Sequence, residues 1–356
     1  MLVPRLSFYK RINKEFEREL PIKGKPLVNI GDLVKSNDKV LESEILGDLS
    51  IIKIDPEIIN VDNLKIKKLD TVKEGDLIFE RRSFFNLFKD QTFSKYSGVV
   101  EYINLNNGHI GIRDKSTSIT INAFVDGEVV QINENSIKLK TSCAYFQGIF
   151  GIGGEQSGEI ALIDNEKITL DSFPKDIDEK VLVGGFSPSA EVLEFINKSK
   201  AKGLICGSID YNELSKFLGY EIGVAITGRE DIDFSLIITE GFGDFKLSPR
   251  IVELAKENLG KRIAINGTTQ VRAGARRADA VICFDYFKKV KIVDDNQITK
   301  GDLVKIIRYP YFGKIGKVAE VLDKRVVLET KSVVNCAQVI VKGQEIIVPI
   351  INLELI

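Results

Sequence analysis

The string Val28-Asn29-Ile30-Gly31-Asp32-Leu33-Val34 recurs as Val72-Lys73-Glu74-Gly75-Asp76-Leu77-Ile78. In each, a Gly-Asp pair sits between alternating apolar residues. Alternation marks strands with one buried face, and glycine at the turn supplies a positive φ that side chains resist. A chain that repeats this unit is committed to short strands joined by tight turns. The same period-two pattern continues through Ser118–Ile121, Glu128–Ile132 and Ser136–Lys140.

At 356 residues there is length for two or three domains with real cores. The formal net charge is −1, but it is unevenly spread: residues 1–25 carry +4 and 298–356 carry +3, leaving −8 for 26–297. Basic ends around an acidic middle suit a protein that meets a polyanion at its ends, and equally a set of solvated faces. Cysteines at 143, 206, 283 and 336 are too far apart for a metal knuckle or a redox pair. Cys206 and Cys283 fall in apolar runs, as core residues do. A single histidine, His109, leaves no imidazole pair for catalysis. No metal or cofactor is expected. With no secretory pattern at the N-terminus and no run of about 18 apolar residues, the expected location is cytoplasmic, away from membranes.

Four divisions follow. Residues 1–25 read as a basic helix, because Phe8, Ile12, Phe16 and Leu20 recur every four positions after Ser7 and before Pro21. Residues 26–175 are β-rich. Residues 176–290 alternate strands (Lys180–Val183, Gly203–Gly207, Gly223–Ile226, Ser235–Ile238, Arg262–Ile265, Ala280–Cys283) with helices. One helix is expected to be capped by Ser187, one by Asp210 with Glu213, and one to open at Ser248-Pro249. This order predicts a mostly parallel sheet covered on both faces. Residues 298–356 form a last, small β unit. The fold class is therefore multidomain α+β.

The two Gly-Asp strings, with Lys95–Ile103, resemble the barrel-sandwich hybrid family of lipoyl and biotinyl domains over roughly residues 26–115. The resemblance implies a modified lysine at a hairpin tip. Lys39 lies ahead of that place, so a structural role is expected for it. The aromatic stretch Phe79–Phe93, with Arg81 and Arg82, reads as a covering loop.

In the middle region, ligands of parallel sheets bind beyond the strand ends. There the chain places Gly184, Gly185, Ser187, Thr227, Arg229, Glu240, Asn266, Thr268 and Arg272, a small and polar set that suits an anion. Short loops need the same residue types for conformation alone. Glu240 stands without a nearby partner, and no catalytic group is assigned.

In Gly301-Asp302-Leu303-Val304-Lys305-Ile306-Ile307-Arg308-Tyr309-Pro310-Tyr311-Phe312-Gly313-Lys314-Ile315-Gly316-Lys317-Val318, two alternating strands flank a Pro- and Gly-bearing loop. This resembles the KOW motif of NusG-type transcription factors and several ribosomal proteins, and implies an SH3-like five-stranded barrel over 298–356. Many members have glycine before the loop proline. Tyr309 stands there in this chain and makes the tip bulkier. The resemblance implies contact with RNA, ribosome or RNA polymerase. Lys305, Arg308, Lys314 and Lys317 would neutralise phosphates, and Tyr309 and Tyr311 would stack on bases. The expected function is a non-enzymatic partner of the transcription or translation apparatus. The competing reading is an anionic-ligand-binding or catalytic α/β protein in which the β modules are scaffold or self-association elements.

Overall fold

The structure is a computed structural model that describes residues 6–82, 89–164, 166–221, 232–269, 277–284 and 297–355. It is dominated by β-structure and built around one eleven-stranded sheet. Its strands are β1 (Phe8–Glu19), β2 (Leu33–Val34), β3 (Gly127–Ile132), β4 (Ser136–Gln147), β5 (Phe150–Ile152), β6 (Glu155–Leu162), β7 (Lys180–Val183), β8 (Gly203–Ile209), β9 (Ser235–Phe242), β10 (Arg262–Asn266) and β11 (Asp279–Cys283). Along the sheet the order is β5-β9-β8-β7-β6-β10-β11-β4-β3-β2, with β1 also on β4. Strands from both sides of residue 175 belong to this sheet.

The sheet is not mostly parallel. Among the described residues only the β6–β7, β7–β8 and β8–β9 pairings are parallel. Strands β7–β9 of the α/β run make the parallel core together with β6 from before residue 175, whereas β10 and β11, expected in the same parallel sheet, pair antiparallel, as does β5 on the other side. Helices α1 (Ala190–Lys198) and α2 (Tyr211–Leu218) cover one face, with Leu193, Ile196 and Leu214 packed on Leu182, Leu204 and Leu236. Helix α3 (Pro249–Glu257) covers the other, with Ile251 and Leu254 against Val181, Ile205 and Ile237. The odd–even split within β7, with Val181 and Val183 facing α3 and Leu182 facing α1, is what burial on both faces requires. The expected strand Gly223–Ile226 lies outside the described residues.

The expected N-terminal helix is a strand. A spacing of four fits one face of a helix, but it is also even, and so fits one face of a strand. The residues between decide the matter: Lys14 and Arg18 are half-buried on the face of Ile12, Phe16 and Leu20, while Asn13, Glu15, Glu17 and Glu19 are exposed. Long cationic stems cover apolar surface well. The Lys14 ammonium lies 4.3 Å from the Tyr145 ring centroid, and the Arg18 guanidinium lies 5.4 Å from that of Phe124. A bulge between Tyr9 and Ile12 inserts one residue relative to β4 and reverses the facing of what precedes it. Ile12 and Phe16 therefore join the core under the β-domain, whereas Phe8 packs with Phe146 on the α3 side, ring centroids 6.5 Å apart.

The remaining β-domain is two small sheets and a hairpin. Thr117–Asn122, Lys39–Ile45 and Lys25–Pro26 pair in one, and Leu49–Lys53, His109–Arg113, Gly98–Asn104 and Thr71–Val72 in the other. Lys39 opens a strand and is exposed. The segment expected as a covering loop is a hairpin, Leu77–Arg82 with Lys89–Phe93. Phe79 is buried, Phe93 is exposed, and residues 83–88 lie outside the described set.

At the C-terminus, β12 (Leu303–Ile306), β13 (Ile315–Val321), β14 (Cys336–Val341), β15 (Gln344–Pro349) and β16 (Leu353–Leu355) form an antiparallel five-stranded sheet in the order β15-β14-β13-β12-β16. It encloses its own core of Val304, Ile306, Val318, Val339, Val348 and Leu353. The expected strand at Arg325–Glu329 contributes only Val326–Val327, paired apart with Val333–Val334. None of the described helices is long and apolar enough to cross a membrane.

The Gly-Asp turns at 31–32, 75–76 and 301–302 share one geometry. The Asp32, Asp76 and Asp302 carboxylates accept from the backbone N–H groups of Asn29, Lys73 and Thr299, each at 2.7 Å. The glycine N–H then donates to a neighbouring strand residue, which donates back to the aspartate carbonyl: Val129 for the first turn, Ser94 for the second, Val318 for the third. A fourth copy is built without glycine. Asp70 accepts from the Lys67 N–H at 2.7 Å, and Leu69 and Asp70 exchange bonds with Val100. Leu69 sits at φ 76°, beside the 92°, 90° and 96° of Gly31, Gly75 and Gly301. A left-handed conformation costs a non-glycine residue about 1–2 kcal/mol, and Leu69, 74% exposed, recovers little by burial. Leu69→Gly is therefore expected to stabilise the β-domain, by about 0.5–1 kcal/mol once the extra freedom of unfolded glycine is counted. Gly75→Leu should destabilise it by about the same 0.5–1 kcal/mol. Urea denaturation of the two variants beside the wild type checks both signs.

Candidate functional cleft

Residues assigned above to two different sites meet in one place. Glu240, near the end of β9, and Lys305, on β12 of the C-terminal sheet, form an ion pair with Nζ to Oε2 at 2.7 Å. Their side chains are only 8% and 11% exposed. The ammonium also lies over the Phe245 ring, 4.9 Å from its centroid. Glu240 thus has its partner 65 residues away. The C-terminal sheet is fastened to the end of the parallel strands by a charge pair shielded from water. Lys305 is committed to this contact and is withdrawn from the phosphate role expected of it.

Beside the pair opens a cleft of about 320 Å³ between the C-terminal sheet, the N-terminus of α3 and the start of β1. Phe8 and Phe146 contribute an apolar wall, and Arg250, Arg277 and Arg308 bring positive charge. The Arg250 guanidinium stacks on Phe8, 4.1 Å from the ring centroid. Phe8 reaches this side only through the bulge in β1. Phe312, from the barrel loop, forms the rim and is 61% exposed.

The other residues of the expected barrel site stay on the surface. Tyr309 is 91% exposed in the loop; Arg308 and Lys314 of the same loop are exposed, as is Lys317, which pairs with Leu303 farther down the hairpin. Tyr311 is half-buried against the barrel core, with the Lys314 ammonium 5.1 Å from its ring centroid. The bulk of Tyr309 therefore points its problem outward, away from the fold.

Of the described residues expected to hold an anion at the strand ends, Glu240 lines this cleft and the others do not. A Cβ on Gly184 would lie 2.2 Å from the Ile163 carbonyl oxygen, and one on Gly185 2.4 Å from Ile168 Cγ1. These glycines let Ile163 and Ile168 lie against the strand end. Ser187 is buried, and its N–H donates to the Ser208 carbonyl at 2.8 Å. It does not cap α1. Ser189 does so, accepting from the Val192 N–H at 3.3 Å. At the first turn of α1 the Ala190 N–H donates to the Glu213 carboxylate at 2.7 Å, so the chain's own anion fills the place a ligand's would take. Asp210 caps α2, as expected, and Gly219 ends it at φ 78°. Asn266 accepts from the Thr268 N–H at 2.9 Å, and both residues are buried. Thr227, Arg229 and Arg272 lie outside the described residues.

A second, more polar cavity of about 630 Å³ lies by Arg18, Glu155, Glu179 and Lys202. Its charges are largely spent on each other: Arg18 spans both Glu155 oxygens at 2.6 Å, and Lys202 meets Glu179 at 3.1 Å. Among the described residues no group of three His, Cys, Asp or Glu is placed to hold a metal ion. No protein-family model matches the chain, and no curated protein matches it.

Two outcomes follow. Removing one member of a buried pair strands the other charge, at a cost of about 3–5 kcal/mol. Lys305→Met should therefore lower stability by that order, and the double change Lys305→Met with Glu240→Gln should recover most of the loss in a denaturation double-mutant cycle. The cysteines are all free thiols. Cys206 is fully buried and Cys283 only partly so. Burial pushes the Cys206 thiol up to about 12 and raises Cys143, Cys283 and Cys336 as well. At pH 8 an ordinary exposed cysteine is about a quarter thiolate. Cys206 should stay protonated until the pH nears 12, so iodoacetamide at pH 8 should label it at least 100-fold more slowly in the native protein than after unfolding. Mass spectrometry of quenched time points measures the ratio.

Proposed function

We propose that this protein is a non-enzymatic RNA-contacting protein of the transcription or translation apparatus, with the loop between β12 and β13 as its contact. The observation that carries this reading is the exposure of Tyr309 in the loop together with Arg308 and Lys314, with Lys317 exposed farther down the same hairpin. An unstacked base finds an open aromatic face there, and the backbone finds three cations to replace its counterions. This favours single-stranded RNA, whose bases are splayed and available, over a duplex read by shape. The buried Lys305–Glu240 pair supports the reading indirectly, because it holds the barrel with this loop turned outward.

Filter binding of a short single-stranded RNA across ionic strength tests it. Three phosphate contacts predict a slope of log K against log salt near −2, at roughly −0.7 per contact. Lys314→Gln and Lys317→Gln should each flatten the slope by about 0.7. Tyr309→Ala should weaken binding by about 5- to 150-fold, the range of ~1–3 kcal/mol lost per stacked base, and leave the slope unchanged. A salt-independent response, or no binding at 50 mM salt, would overturn the proposal.

A further inference from the structure

Two of the four thiols meet across the central sheet. Cys143 on β4 and Cys283 on β11 are direct partners in the antiparallel register, next to the Ala144–Ile282 pair. The Phe284 N–H donates to the Ser142 carbonyl at 2.8 Å. That bond lies just outside the two cysteines, so they face each other at a non-hydrogen-bonded position. Cα atoms at such positions are about 4.5 Å apart, the closer of the two antiparallel spacings. A disulfide accepts Cα separations of ~4.4–6.8 Å. Residues directly opposite also share a face. Here both thiols join the core that holds Tyr145 and Val281, while Ala144 and Ile282 turn to the α3 side.

The other two cysteines have no such partner in register: Cys206 stands beside Ile238, and Cys336 opposite Pro349. Cys143 is fully buried, whereas Cys283 is half-buried and within reach of a small reagent. Burial raises both thiols, and the nearby Cys283 adds to the rise of Cys143. Thiolate is the attacking form, so reaction at this pair is slow.

We infer that Cys143 and Cys283 are a modification site, converted by peroxide to a cross-strand disulfide that ties β4 to β11. The Cys283 sulfur attacks one oxygen of hydrogen peroxide and the O–O bond breaks. The departing hydroxide takes the thiol proton and leaves as water, and Cys283 becomes a sulfenic acid. The Cys143 sulfur then attacks the Cys283 sulfur and the S–O bond breaks. The hydroxide released takes the Cys143 proton as a second water. The two thiols thus give up two electrons, which reduce one peroxide to two waters. The new bond closes a long loop and so constrains the unfolded chain. Since β4 pairs with β3 at its start and β11 at its end, oxidation locks the junction between the β-domain and the α/β layer. The inference does not rest on the RNA reading, because neither cysteine belongs to the C-terminal sheet.

The reduced full chain is held in hydrogen peroxide at neutral pH, quenched with N-ethylmaleimide and digested with trypsin without reductant. Cleavage after Lys140 and Lys167 leaves Cys143 in one peptide, and cleavage after Arg277 and Lys288 leaves Cys283 in another, each the only cysteine of its peptide. The expected product, taken from the monomer band of a non-reducing gel, is peptide 141–167 linked to 278–288. It should be at least ~10-fold more abundant than any pairing with Cys206 or Cys336, whose partners in register offer no thiol at bonding distance. Dithiothreitol should return both thiols, and oxidation in concentrated urea should lose the preference. In Cys143→Ala, dimedone should trap the sulfenic acid on Cys283. Oxidised wild type should unfold at a higher urea midpoint than reduced wild type, and Cys283→Ala should show no such rise. Absence of the 141–167/278–288 link from the native monomer, or a link no more abundant than the other pairings, would overturn the inference. That comparison needs the wild type alone, so it decides even where an alanine variant does not fold.

Discussion

Strand β4 is the constraint from which the rest of the molecule hangs. It is twelve residues long and bonded along one edge to β1 over nearly its whole length. Its other edge is divided: Ile137–Lys140 pair with β3, and Cys143–Gln147 pair with β11. One continuous backbone therefore belongs to the β-domain at its start and to the α/β layer at its end. Backbone bonds inside a buried sheet must be made once water is excluded. A boundary drawn between the two regions by composition passes through a single hydrogen-bonded surface.

The buried charge pair serves a different purpose. A shielded ion pair adds little net stability against a well-packed apolar alternative, because desolvation consumes most of the attraction. What it does add is discrimination. A barrel docked in another register would leave both Lys305 and Glu240 unpartnered in a dry environment, and a loose apolar contact would not impose that cost. The orientation of the β12–β13 loop, and the existence of a cleft behind it, both follow from this one docking.

Local geometry was readable from residue order, and non-local pairing was not. The Gly31-Asp32, Gly75-Asp76 and Gly301-Asp302 turns are visible because a glycine must occupy a conformation that other residues avoid. The copy at Leu69-Asp70 is hidden because leucine gives no such sign. The Asp210 cap and the Gly219 stop are equally local. The N-terminal strand was misread because a four-residue spacing serves both periodicities, and the half-buried lysine and arginine between the apolar positions look like solvent-facing residues until a partner strand is known. Glu240 stood out as a solitary carboxylate, yet nothing near it in the chain points to Lys305, which carried a separate expectation of its own. The parallel run β7–β9 was legible from alternating strands and helices, whereas its fourth member, β6, comes from the preceding region and the antiparallel pairing of β10 and β11 gives no sign in residue order.

The bulge between Tyr9 and Ile12 makes the start of the chain sensitive to counting. One inserted residue decides on which side of the sheet Phe8 falls. A deletion of Lys10 or Arg11 alone would preserve every apolar residue and nearly all of the charge, yet restore even alternation and carry Phe8 across to the opposite layer, taking the aromatic support from beneath Arg250. The number of residues in this stretch is thus as much a part of the design as their identity.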